Sequence, residues 1–121
     1  GFAEHAETPA ASLPDGALKR LEIARALATE PRVLLLDEPA AGCNEAETAE
    51  IDHLIADIAA RGIAVVLIEH DMKLVMRISR HLVVLNQGRM LAEGTPEEVR
   101  ANADVIAAYL GTHGAEQAAL A

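Results

Sequence analysis

Two short runs of large apolar residues, Val33-Leu34-Leu35-Leu36 and Ile63 to Ile68, stand out along the chain because no polar position interrupts either. Runs of that length predict strands buried on both faces, as in a parallel sheet lying under helices. Pro39 cannot donate to a ladder, so the first strand ends there. Between the runs, Ile51, Leu54, Ile55 and Ile58 recur at helical spacing and predict an amphipathic helix. Asn44 caps it, with Glu47 as the capping-box partner, and Gly62 suits the left-handed position past its end.

Upstream, Ser12 to Gly16 supplies turn residues and Ala17 to Thr29 predicts a helix with Leu18, Leu21, Ala24 and Leu27 on one side, closed by Pro31. Residues 1–11 read as a loop or a frayed helix. Downstream, Asp71 caps a helix with Leu74, Val75 and Ile78 inward. Leu82 to Leu85 and Arg89 to Ala92 predict a hairpin around Asn86-Gln87-Gly88, with Gly88 at positive φ. Thr95-Pro96-Glu97-Glu98 carries a hydroxyl cap, a proline at the first helical position and a capping-box glutamate. A last helical piece runs from Asp104 to Leu110 and ends at Gly111, and residues 112–121 read as a mobile tail. The alternation of strand and helix predicts an α/β fold.

Composition narrows the partners. With 121 residues the chain fills one modest domain at most, and 19 acidic against 10 basic residues give a net charge of −9. That charge disfavours nucleic acid or anionic lipid as a direct partner. Cys43 is the single cysteine, so there is no disulfide framework and a reducing compartment fits. No apolar run reaches the length of a membrane span.

The candidate chemistry lies just beyond the two apolar runs, where open α/β sheets gather their ligands. The first delivers Asp37 and Glu38 and the second delivers Glu69-His70-Asp71. Adjacent carboxylates repel when both are buried. Either a cation or a reactant separates their roles, or the strand ends in a solvated acidic turn. Histidines 5, 53, 81 and 113 show no metal-ligand spacing and read as surface residues.

The order of these features resembles the C-terminal half of an ABC transporter ATPase. Leu13-Pro14-Asp15-Gly16-Ala17 and the helix through Leu27 are similar to the family's signature motif. Val33 to Asp37 with Glu38 resembles the Walker B strand and catalytic glutamate, Ala40 to Asn44 the D-loop, and His70 the switch histidine. The wording LEIARALAT, LLLDEPAAG, IEHDM, AEGTPEEV and AAYLG is most similar to ATPases of branched-chain amino-acid importers.

The resemblance implies a partial P-loop NTPase core: parallel strands with flanking helices, then a C-terminal hairpin and helices, all within residues 1–111. It implies ATP and Mg²⁺ as cofactors, with Asp37 holding the metal through water, Glu38 acting on the attacking water and His70 sensing the γ-phosphate. Leu13 to Ala17 would meet ATP held by the opposite subunit, with Asn44 in the D-loop. The implied partners are a second ATPase subunit and transmembrane permease subunits, through which alone a cytoplasmic, peripheral protein touches the membrane.

Two departures qualify that picture. Pro14 replaces the usual serine, Asp15 precedes the glycine, and Ala17 stands where glutamine is common. A carboxylate about 5 Å from one phosphate charge costs roughly 3 kcal/mol at an effective dielectric of about 20. Lys19 and Arg20 offset part of it. More important, no glycine is followed by Lys-Ser or Lys-Thr, and the lysines are Lys19 and Lys73, so the phosphate cradle of a P-loop is missing. The chain therefore reads as the second half of a longer ATPase, inactive alone and self-associating or marginally stable through uncovered strand edges. The alternative is a non-catalytic partner that docks on a complete ABC ATPase and lends it a signature face.

Overall fold

A computed structural model of the chain describes residues 2–110. The described backbone divides into two compact units that meet in sequence between His70 and Asp71.

The first unit opens with single 3₁₀ turns at Phe2–His5 and Ala10–Ser12 and continues into helix α1, Asp15–Leu27. The helix starts two residues before the expected Ala17, because Pro14 supplies an extended N-cap and Asp15 an acid for the first turn. Its buried positions are Gly16, Ala17 and Ile23, while Leu18, Leu21, Ala24 and Leu27 are only half-buried. The expected leucine stripe is thus corrected: small residues let the start of the helix pack closely.

Strand β1, Val33–Asp37, pairs in parallel with β2, Ala64–Ile68, through the crossover helix α2, Glu45–Ala60. Asn44 accepts from the Glu47 amide at 2.9 Å and Glu47 Oε2 accepts from the Asn44 amide at 3.0 Å, completing the expected capping box. Ile51, Ile55 and Ile58 are buried, as the periodicity requires, and Gly62 takes φ 90°.

The two strands are not buried on both faces. Burial along β1 alternates, with Leu34 and Leu36 inside while Val33 and Leu35 are exposed, Leu35 to 73 %. On β2, Val66 and Ile68 are exposed in the same way. The parallel register sets Val33, Leu35 and Asp37 beside Ala64, Val66 and Ile68, so one face of a two-stranded sheet stays open. An unbroken apolar run says that both faces suit burial; it does not supply the second layer.

The second unit is built from α3, Met72–Ile78, the hairpin β3, Leu82–Asn86, and β4, Arg89–Gly94, then α4, Pro96–Ala101, and α5, Ala103–Val105, which runs on as a π-helical turn over Ile106–Leu110. Asp71 caps α3 by accepting from the Leu74 amide at 3.2 Å. Gln87 and Gly88 both take positive φ, the backbone of a type I′ turn, and a bulge at Val84/Leu85 shifts the antiparallel register. Thr95 caps α4 through the Glu98 amide, but the Glu98 carboxylate accepts from the Thr95 hydroxyl rather than closing the box on the backbone. Val84, Val99 and Val105 form the core, flanked by Met72, Met76, Leu82, Leu91 and Ala92. Tyr109 donates its hydroxyl to the Leu85 carbonyl, tying the last turn to β3. Gly111, His113 and the expected tail lie outside the described residues.

Candidate functional site

Parallel pairing brings the carboxyl ends of β1 and β2 side by side, with Asp37 opposite Ile68. The ladder continues one step further, since the Glu38 amide donates to the Ile68 carbonyl at 2.8 Å. Glu38 takes φ 47°, although a residue before proline ordinarily adopts extended backbone. A positive φ at a non-glycine position costs on the order of 1–3 kcal/mol and persists only where its surroundings hold it. Here the ladder bond, buried Pro39 and a turn from the Glu38 carbonyl to the Ala41 amide at 3.1 Å hold it.

Glu38 Oε1 lies 3.1 Å from His70 Nδ1, with the two side chains 49 % and 73 % exposed. With its proton on Nδ1 the ring donates to this carboxylate and leaves Nε2 for another partner. Asp37 is exposed beside Glu38. Asp37, Glu38 and His70 therefore share one edge of the first unit, whereas Asp71 begins the second and is spent on the cap of α3.

The expected signature residues make a second cluster. Leu13 and Pro14 lead into α1, Pro14 making no side-chain cap bond, while Asp15 is exposed and Gly16 and Ala17 are buried. A Cβ on Gly16 would stand 2.9 Å from the Glu47 carboxyl carbon, so the room left by this glycine admits a carboxylate of α2. Asn44 spends its side chain on the α2 cap. Cys43 sits between these elements, and burial first, then the charges of Glu47 and Asp15, push its thiol above the usual range against the pull of Lys19.

A crevice of about 160 Å³ lies between α1 and β1, bounded by Lys19, Glu22 and Ile23 on one side and Leu35, Asp37 and Pro39 on the other. Clefts that enclose a small-molecule ligand run to roughly 300–1,000 Å³, so this one is a packing gap. Among the described residues no group of three or more His, Cys, Asp or Glu side chains could hold a metal ion. Magnesium needs less: it keeps several waters and takes one or two carboxylates plus substrate phosphates, which an exposed Asp37 at a strand end fits. No helix among the described residues is long and apolar enough to cross a membrane.

In sequence and in backbone, the proteins this chain matches are ABC transporter ATP-binding domains. The chain belongs to that family. Residues 2–41 match the ABC transporter family, and residues 89–115 match the family described as branched-chain amino acid ATP-binding cassette transporter.

Over 112 residues the chain is 56 % identical to the high-affinity branched-chain amino acid transport ATP-binding protein LivG of Salmonella typhimurium, covering 92 % of this chain and 44 % of that protein. Over 109 residues it is 57 % identical to the corresponding protein BraF of Pseudomonas aeruginosa, covering 89 % and 43 %. Among solved structures, the ATP-binding cassette MJ1267 of an ABC transporter superposes with a TM-score of 0.77 at 32 % identity, over 86 % of this chain and 43 % of that one. The chain thus spans less than half the length of the relatives it matches.

Proposed function

We propose that the chain supplies the second half of an ATPase subunit that drives uptake of branched-chain or similar amino acids. The observation that carries this reading is the 3.1 Å contact between Glu38 and His70 at the ends of adjacent parallel strands. Glu38 orients and deprotonates the attacking water, and His70 meets the γ-phosphate. Asp37 would hold Mg²⁺ through water, and the ion would neutralise charge on the phosphates. Leu13 to Ala17 face ATP on a second ATPase subunit, the Asn44 loop lies beside that contact, and permease subunits carry the assembly at the cytoplasmic face of the membrane. A P-loop from the remaining part of the domain grips the nucleotide.

The test joins this chain behind the first half of LivG, a relative of 56 % identity. Glu38→Gln in the joined protein is expected to keep ATP binding and lower hydrolysis about 100-fold or more, the usual weight of a general base. Unchanged hydrolysis would overturn the role of Glu38.

One observation favours a second reading, a subunit with a weak signature face. Asp15 and the Glu47 carboxylate both stand at the start of α1, where a phosphate would have to approach. In that case the chain lends its surface to a complete ATPase without strong turnover of its own. Asp15→Ser with Glu47→Gln in the joined protein should then raise ATP-dependent dimerisation; no change would count against it.

A further inference from the structure

The imidazole of His70 is approached by two carboxylates, and the second belongs to a residue that the reading above does not use. Glu69 Oε1 accepts from the His70 amide at 3.1 Å and lies 3.5 Å from His70 Nδ1. Its side chain is 2 % exposed, and its other oxygen, Oε2, is buried without a hydrogen-bond partner among the described residues. Burying a carboxylate with one oxygen unmatched is costly. A neutral residue at the end of β2 would avoid that cost, so a compensating role for the charge is called for.

We infer that Glu69 is a positioning residue: its buried carboxylate holds the Nδ1 edge of His70 so that Nε2 faces outward whether or not Glu38 is in contact. The two carboxylates differ in freedom. Glu38 is half exposed, and to orient a water it must turn its oxygens away from the ring. Glu69 is fixed by burial and by its bond to the His70 amide, so the ring keeps its orientation when Glu38 leaves. In a neutral imidazole one nitrogen donates and the other accepts, and the group beside one decides which. The Nδ1–H form should therefore predominate here, although the groups around an unconstrained histidine impose no such choice. This inference rests on the ATPase reading for its use but not for its geometry.

The experiment is ¹⁵N magic-angle-spinning spectroscopy of histidine-labelled chain 1–121 at alkaline pH, a method indifferent to self-association. His70→Gln identifies the signal. Nδ1–H should dominate in the unaltered chain and should persist in Glu38→Ala. Glu69→Ala should raise the Nε2–H fraction about threefold or more, and the double variant should lose the Nδ1–H preference. An Nε2–H ring in the unaltered chain would overturn the inference, as would loss of the preference in Glu38→Ala with Glu69 in place. No nucleotide is present, so this result stands or falls apart from ATP hydrolysis, and Glu38→Ala decides the matter even where Glu69→Ala fails to fold.

Discussion

The two units pair their strands in opposite ways. In the second unit, from Asp71 on, a two-residue turn joins β3 to β4, and Val99 and Val105 from the helices that follow pack with Val84. In residues 1–70 the strands pair in parallel through a 16-residue helix, and Val33, Leu35, Val66 and Ile68 remain exposed on the open face. Local pairing needs only a tight turn and parallel pairing a crossover helix, yet each two-stranded sheet keeps apolar positions open, since Val83, Leu85 and Met90 of the hairpin are exposed as well. The candidate chemistry lies at the carboxyl ends of the parallel pair. Glu38 and His70 are held to each other, yet what they would act on must be gripped from elsewhere.

Core substitutions should hit both units alike. Ile51→Ala in the first and Leu74→Ala in the second each remove a side chain with 0 % exposure. Each is expected to cost about 2–5 kcal/mol, read as a fall in the denaturant midpoint with amide exchange to assign the unit. An equal loss of protection across both units from either change would break the division between them.

The contrast sharpens at the open face. Chain 1–121 should sediment as associated species, and Leu35→Lys with Ile68→Lys should shift it toward monomer while costing less than about 0.5 kcal/mol, because both positions are exposed. A compact monomer before substitution would remove the argument that this face needs cover.

Caps come next in size. Asn44→Ala should destabilise the first unit by about 1 kcal/mol and Thr95→Ala the second by a similar or smaller amount, since only Asn44 closes a full box. Thermal melts of the two variants check the order.

The smallest effect concerns Cys43, whose thiol is pushed up by burial and by Glu47 and Asp15. A raised pKa keeps the thiol protonated to higher pH, so alkylation by iodoacetamide should begin only above the ordinary thiol range. Glu47→Gln removes one of the raising charges and should move that onset down.

Much of this organisation was legible in the residues. Asn44 with Glu47, Asp71 before α3 and Gln87-Gly88 in the hairpin act through neighbours in sequence, and each does what its spacing predicts. The strand ends were legible because a proline and a change from apolar to charged mark them. What was not legible depends on partners far apart in the chain. The bare face of β1 and β2 follows from a missing layer, not from the strands' composition. The positive φ of Glu38 follows from its bond to Ile68 across the sheet. His81 is exposed, as a surface histidine should be, but its 3.0 Å contact with Glu93 follows from the hairpin register. Glu69 stood out only as one of three ionisable residues at the strand end, because its burial depends on tertiary packing.

The account depends on a division of labour between residues that this chain supplies and a phosphate grip that it lacks. The most direct measurement is ATP turnover by chain 1–121 alone and after joining to the first half of LivG, at matched concentration. No enzyme-like turnover is expected from the chain alone, with hydrolysis appearing on joining and disappearing with Glu38→Gln. Turnover by the separate chain that Glu38→Gln abolishes would contradict the account.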